Sequence, residues 1–290
     1  MTPSLVQRWR DETGDVFVLG AVRVALGALL LANAVRAAGE LRHGYFGDVF
    51  HWPILPESLV ASRPVYVVLV GLQLGLGVLV VIGLRAREAL LASALLGTYV
   101  LLCDRLEYHH NRWALFCYAL LLAFAPCDRS FRVGPVTGGT VGPLWAVRLA
   151  QLQVSLVYLA SGGSKLLDPD WRSGRVLAER FHLYAQANEV SGALAWLLEL
   201  GMRPAVAGAL AAAAIATELF LAFGLWSRRT RGLALVWGVG FHLAIEATSR
   251  VEGFTWLTLA MYGLFVAPGG RIQGWLAKLA SAFTRRTKAP

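Results

Sequence analysis

Charged side chains are scarce in this sequence of 290 residues: Asp, Glu, Lys and Arg make up 16% of it, against about 25% in soluble domains. Apolar residues make up 57%, which is too many for an ordinary soluble domain. The three cysteines form no C-x-x-C pair, and their odd number argues against a disulfide framework. Walker, dinucleotide-binding, haem-attachment and G-x-S-x-G motifs are missing too, so the sequence offers no basis for those chemistries.

What the sequence does contain is long apolar runs rich in Leu, Ala and Val. A transmembrane helix needs about 20 mostly apolar residues, and about eight such helices would account for the apolar fraction. The sequence therefore predicts an all-α, polytopic membrane bundle with a single domain, residues 1–290. The predicted spans are 16–36, 64–84, 88–103, 113–127, 142–162, 204–226, 232–248 and 254–268.

The net charge of +9 predicts a topology and gives no indication of a nucleic-acid partner. With eight spans, the short basic loops at Arg85–Arg87, Arg129–Arg132 and Arg228–Arg231 all fall on one side of the membrane. The positive-inside rule makes that side cytoplasmic. Segment 1–15 and tail 271–290 are then cytoplasmic, as expected for a bacterial inner-membrane protein. All six histidines fall on the outer side, with segments 37–63 and 163–203.

A polar stripe runs along the fifth predicted span at intervals of three and four residues. Such spacing places its members on one helix face, which in lipid should turn towards other helices or a cavity. At the outer end, Lys165 follows Ser161-Gly162-Gly163-Ser164, where the glycines permit a helix break. A lysine in apolar surroundings loses its charge readily and can act as a base; the alternative is a lysine that snorkels to the interface. The stripe comprises Arg148, Gln151, Ser155, Tyr158, Gly162 and Lys165.

Other polar residues in the spans leave several interpretations open. His242 and Glu246 are four residues apart on one helix face, suited to a structural hydrogen bond, a polar cavity or, with further ligands, a metal. Glu218 lies in mid-span and needs a partner, for which Arg148 and Arg23 are candidates. No metal is expected, because the adjacent histidines in His109-His110-Asn111-Arg112 should point in different directions.

Three segments resemble the HTTM superfamily, the membrane module shared by vitamin K-dependent gamma-carboxylases and many short bacterial proteins. They are Tyr108–Trp113, the run Tyr158–Trp171 and Phe241-His242. The resemblance extends over most of residues 10–270. Its most specific part is the run Tyr158–Trp171, where a span ends in small residues followed by Lys165 and then Asp-Pro-Asp-Trp.

In the carboxylases, the lysine matching Lys165 is the proposed base that deprotonates a reduced vitamin K. The oxygenated quinol then removes a glutamate γ-proton, and the carbanion captures CO2. The resemblance thus implies a vitamin K-type hydroquinone as cofactor, with Lys165 and His242 catalytic. The residues expected to bind it are Tyr158, Glu246, His109, His110, Asn111, Arg112 and Trp171.

Two functions remain open from the sequence. In the first, Lys165 deprotonates a lipid-soluble quinol in an outward-facing cavity that it shares with His242. In the second, the chain is a non-catalytic module that binds lipid or quinone beside a partner protein. The carboxylases carry a large soluble region after the membrane module, whereas this sequence ends about twenty residues after its last predicted span. A partner protein could supply that region.

Overall fold

A computed structural model describes residues 4–43, 52–106, 108–135, 139–249, 251 and 253–266. Tail 271–290 and part of the predicted outer segment 37–63 lie outside the described residues. Within these residues the chain forms twelve α-helices, a two-stranded antiparallel ladder and one 3₁₀ turn, Glu57–Leu59. The helices and strands are α1 (Leu5–Asp11), β1 (Thr13–Asp15), α2 (Phe17–His43), α3 (Arg63–Ile82), α4 (Ala86–Cys103), α5 (His110–Ala123), β2 (Val141–Pro143), α6 (Trp145–Leu167), α7 (Pro169–Arg172), α8 (Arg175–Ala187), α9 (Gly192–Met202), α10 (Pro204–Gly224), α11 (Arg231–Ser249) and α12 (Phe254–Val266).

Several helix ends follow from the local sequence. Ser4 and Gln7 form a reciprocal capping box at the start of α1. Pro204 opens α10, where its missing N–H costs nothing. Gly83 ends α3 in the left-handed conformation, with φ of 79°. These signals are local, so the helix bounds lie close to those expected from the sequence.

Five helices in the described part of the chain are long and apolar enough to cross a membrane: α2, α3, α4, α10 and α11. The helical membrane bundle is therefore confirmed, while the count of about eight spans is not. Helix α6 has 23 residues, enough for about 34 Å, but it carries the polar stripe. Helices α5 and α12 have 14 and 13 residues and are short for a span.

The chain divides by its contacts into two compact units, residues 1–150 with 260–290 and residues 151–259. In the first unit, α2 packs on α3, α3 on α4, α4 on α5, and α5 on α2. Glycines permit close approach: a Cβ at Gly77 would lie 2.7 Å from Leu31, and one at Gly97 only 2.0 Å from the Phe116 ring. In the second unit, α10 packs against α7, α8, α9 and α11.

The β ladder holds the start of α2 beside the start of α6. Thr13 pairs with Pro143 and Asp15 with Val141. At this end of the first unit, Arg148 donates hydrogen bonds to both Glu12 carboxylate oxygens. The distance from Arg148 Nε to Glu12 Oε2 is 2.9 Å. The hydrogen bond from Arg148 lowers the pKa of the Glu12 carboxyl below its ordinary value of 4.5.

We expect the Glu12–Arg148 pair to make stability depend on acid pH. Because the folded-state pKa is lowered, the contribution is fully present above about 4.5, the unfolded value, and is lost as the pH falls through the folded value. Glu12→Gln should therefore unfold at a lower temperature than the wild type at pH 7, with the difference shrinking below pH 4.5. The effect should be small, since Glu12 is 34% exposed.

Asp11→Asn is the matched control for Glu12→Gln. Asp11 pairs with Arg10 on the surface, where an ion pair contributes little. Unfolding in detergent at pH 7, 5, 4 and 3.5 measures both variants. An unfolding temperature of Glu12→Gln that stays below the wild type by the same margin at pH 3.5 would contradict the pairing.

Candidate functional site in the second unit

The polar stripe of α6 is buried, as the sequence predicts. Gln151 is 1% exposed and Tyr158 3%, and Ser155 and Gly162 are buried as well. The residue that directly follows each of the first four stripe residues is a leucine whose side chain is 37–49% exposed. These residues are Leu149, Leu152, Leu156 and Leu159. Helix α6 thus shows leucine on its exposed side and keeps its polar groups inside. That arrangement suits a helix that contacts lipid on one face only.

Lys165, near the end of α6, forms an ion pair with Glu218 of α10. Lys165 Nζ lies 2.7 Å from both Glu218 carboxylate oxygens and 2.5 Å from Ser161 Oγ. Ser161 in turn donates to Glu218 Oε1 at 3.1 Å. The two charged side chains are 16% and 9% exposed. The result is a compact cluster in which an ammonium, a carboxylate and a hydroxyl satisfy one another away from bulk water.

Glu218 lies in the second half of α10. It is about 21 Å along the helix axis from Pro204 and about 9 Å from Gly224, at 1.5 Å per residue. Helix α10 is long and apolar enough to cross a membrane, so Glu218 lies within a candidate span. Lys165 therefore has a carboxylate partner on another helix of the second unit, and its role as a base stays a prediction.

One expectation about this region is wrong. Glu218 pairs with Lys165, while Arg148 pairs with Glu12, and Arg23 donates to the carbonyls of Phe131 and Val81. The glycines would permit a break in the helix, but α6 continues to Leu167. A Cβ at Gly162 would lie 3.1 Å from Leu219 and 3.2 Å from Glu218. Gly162 therefore lets α6 and α10 approach closely enough for the ion pair to form.

Trp171 lies beside the ammonium of Lys165. The Nζ is 5.0 Å from the centre of the Trp171 ring, and the Arg180 guanidinium is 5.6 Å from it, both within cation–π range. Asp168 caps α7 by accepting from the Asp170 amide. The short helix α7 thus places an indole face next to the Lys165–Glu218 pair.

A second polar pair lies two helical turns earlier on α6. Tyr158 hydroxyl and His242 Nε2 are 2.6 Å apart, and both side chains are almost fully buried. The His242 imidazole is edge-on to the Phe254 ring. One turn further along α11, Glu246 Oε2 is buried and accepts no hydrogen bond from the described residues. His242 therefore has a partner on another helix, and Glu246 is not that partner.

The His109–Arg112 segment belongs to the first unit. His109 is the N-cap of α5 and accepts a hydrogen bond from the Asn111 amide at 3.3 Å. The expectation that the two histidines point in different directions is wrong, because the rings of His109 and His110 stack 4.4 Å apart at 24°. Stacking, helix capping and the burial of Asn111 hold this segment at the start of α5, and its predicted part in binding a hydroquinone stays a prediction.

The structure joins the predicted site residues into two groups, Lys165 with Trp171 and Tyr158 with His242. Their shared cavity stays a prediction. Sequence reasoning missed Ser161 and Arg180, and it noticed Glu218 without its partner. Within the described part of the chain, no three His, Cys, Asp or Glu side chains gather closely enough to hold a metal ion.

Five long apolar helices in the described part of the chain are typical of a multi-pass helical membrane protein. A family model described as the HTTM domain matches residues 12–269, which is most of the sequence. The chain therefore belongs to the HTTM family and is a membrane protein of the vitamin K-dependent carboxylase-like family. Comparisons with curated proteins and with solved structures find no match.

Proposed function

We propose that this chain is a membrane enzyme that takes a proton from a lipid-soluble hydroquinone, with Lys165 as base and Glu218 as its partner. The observation that carries the proposal is the Lys165–Glu218 pair itself, held at 2.7 Å between α6 and the candidate span α10. A charged pair in apolar surroundings is costly to maintain, and such residues in membrane helices are functional candidates by default.

The pair can become a base by moving one proton internally. Transfer from Lys165 Nζ to the Glu218 carboxylate gives a neutral amine and a neutral acid, which low-dielectric surroundings favour over separated charges. The neutral amine can then accept a proton from substrate. Free lysine side chains and phenols have similar pKa values, about 10.4 and 10. Between these free groups in water, the free energy of proton transfer from a phenolic hydroxyl to an amine is therefore close to zero.

The residues around Lys165 fit a hydroquinone. Trp171 offers an indole face for an aromatic ring. The neutral Lys165 amine can accept the phenolic proton, while Glu218 holds the proton that it received from Lys165. Glu246 Oε2 adds a buried acceptor in the same unit. When bound, the hydroquinone would supply an acidic hydroxyl and an oxygen-reactive ring, the chemistry for which the carboxylases use reduced vitamin K. The chain's own part is to bind the ring and to hold or move the proton.

A direct test is hydroquinone turnover by the purified protein in lipid nanodiscs. A vitamin K-type hydroquinone should be consumed with oxygen uptake by the wild type and not by Lys165→Ala. Titration calorimetry on the same samples measures hydroquinone binding separately. Failure to consume any hydroquinone that binds would contradict the proposal.

A second candidate function is supported by the ion pair as well. In the resting state, Nζ directs its donors at Glu218 and Ser161, which stabilises the ammonium and opposes a base. The chain would then be a non-catalytic module that binds lipid or quinone beside a partner protein. Binding without turnover, unchanged in Lys165→Arg, would identify this role.

We propose further that both termini are cytoplasmic and that the Lys165 side of the second unit faces the periplasm. Ser173 and Ser227 are both exposed and lie near opposite ends of α10. An impermeant maleimide should therefore label Ser173→Cys in intact cells and Ser227→Cys only after lysis. The native cysteines are buried or half-buried, so background should be low. The reverse labelling pattern would show that the chain has the opposite orientation in the membrane.

A further inference from the structure

The segment between α6 and α10 contains two helices that are too short to cross a bilayer. Helix α8 has 13 residues and α9 has 11, which correspond to about 20 Å and 17 Å against a hydrocarbon core of about 30 Å. We call residues 175–202 the α8–α9 hairpin. The sequence alone assigned this region to a polar outer loop, whereas the structure shows that most of it is helical.

The hairpin is firmly packed within the second unit. A Cβ at Gly201 would lie 2.6 Å from the Phe181 ring, so the end of α9 rests directly on the middle of α8. Leu198 is 1% exposed, and both helices pack against α10. A freely hinged lid would lack such contacts. The hairpin is thus a fixed part of the unit, and its outer surface has a defined environment.

The exposed surfaces of the two helices differ in chemistry. The exposed residues of α8 are mostly polar: Arg175, Glu179, Arg180, His182 and Gln186, with Leu183 among them. On α9, by contrast, the large exposed side chains are Trp196 and Leu197, at 60% and 53%, and Glu199 is its one exposed charged residue. A large exposed Trp-Leu pair is unusual on a surface that faces water, whereas tryptophan is enriched where a membrane meets water.

We propose that the α8–α9 hairpin lies in one membrane interface, with Trp196 and Leu197 of α9 inserted among the acyl chains and the polar side of α8 among headgroups and water. Lipid is the occupant that fits. Helix α10 begins directly after α9 and is a membrane-crossing candidate, so α9 ends at the membrane surface. An amphipathic element with charged residues on one side and Trp and Leu on the other is suited to lie in the interface plane.

The placement would also give the site a route for substrate. Arg180 of α8 contacts Trp171, which in turn contacts Lys165. If the proposed function holds, a hydroquinone dissolved in the bilayer would approach Trp171 from the leaflet that holds the hairpin. The insertion itself does not depend on that function.

Nitroxide depth measurements test the insertion in the full chain, reconstituted in liposomes. Single cysteines replace Leu197 on α9 and Gln186 on α8, an exposed matched control, with the three native cysteines changed to alanine. Oxygen collects in the acyl region, while a polar nickel chelate stays in water. The ratio of oxygen to nickel accessibility should be at least about fivefold higher at position 197 than at 186.

Two results would overturn the proposal. Equal or greater nickel accessibility at 197 would show that α9 faces water. A label at 197 that neither reagent reaches would show that a protein, a partner or a second copy, covers this face. Trp196→Cys provides a second label should Leu197→Cys fail to fold. Because the readout is depth, failure of the insertion is distinguishable from failure of the proposed chemistry.

Discussion

Lys165→Arg is expected to lose hydroquinone turnover by about 10²–10⁴-fold, the usual contribution of a positioned acid or base. Arginine keeps the positive charge and can pair with Glu218 in two-pronged geometry, so the fold and the ion pair should survive. A guanidinium stays protonated at any accessible pH and cannot take a proton from substrate. The measurement is turnover per molecule of folded protein, with hydroquinone binding as the parallel readout. Full activity in Lys165→Arg would make the lysine an ion-pair partner only.

A stability control separates lost chemistry from lost structure. Lys165→Met alone leaves the Glu218 carboxylate buried without its partner, at a cost of about 3–5 kcal/mol. Replacing both residues, in Lys165→Met/Glu218→Leu, removes the unpaired charge and should restore most of that stability. The double variant should therefore fold and remain inactive. A double variant less stable than either single variant would show that the pair is mainly structural.

The sequence predicts features that depend on one helix and misses those that depend on two. The stripe from Gln151 to Lys165 is predicted because side chains at intervals of three and four share a face of any helix. The pairing of Lys165 with Glu218 is different, since it joins residues 53 positions apart. It depends on how far α6 is shifted along α10, and the intervening segment gives no indication of that shift. The unpaired mid-span carboxylate signals only that a cation must be near.

The α8–α9 hairpin was missed for a related reason. A search for runs of about 20 apolar residues detects helices that cross the whole membrane. Helices α8 and α9, with 13 and 11 residues, are shorter than that. The polar residues of α8 then make the whole segment resemble a loop. The proximity of Arg180 to Trp171 cannot be predicted without helix α8, which carries Arg180. Trp171 itself is predicted as a site residue from the run Tyr158–Trp171.

Gly174→Ala is expected to destabilise the second unit by about 4 kcal/mol or more, a loss large enough to need a specific structural cause. Gly174 has φ of 81°, in the left-handed region that favours glycine. An added Cβ would also lie 2.4 Å from backbone atoms of Ala207 and Gly208 on α10. Backbone cannot rotate away as a side chain can, so α8 would have to move off α10. Thermal unfolding in detergent, followed by circular dichroism, measures the loss.

Gly192→Ala separates the two causes. Gly192 has φ of 62° and nothing within 4 Å of its added Cβ, so its alanine variant bears the conformational cost alone, about 1 kcal/mol.

Gly208→Ala probes the other side of the contact, where an added Cβ would make only an ordinary contact with the Ser173 carbonyl, 3.6 Å away. We expect Gly208→Ala to be nearly neutral and Gly174→Ala to be far worse than Gly192→Ala. Because α7 and α8 hold Trp171 and Arg180, Gly174→Ala should also weaken hydroquinone binding in whatever fraction folds. Equal unfolding temperatures for Gly174→Ala and Gly192→Ala would mean that the contact with α10 contributes nothing, and that α8 is not held against α10 at this point.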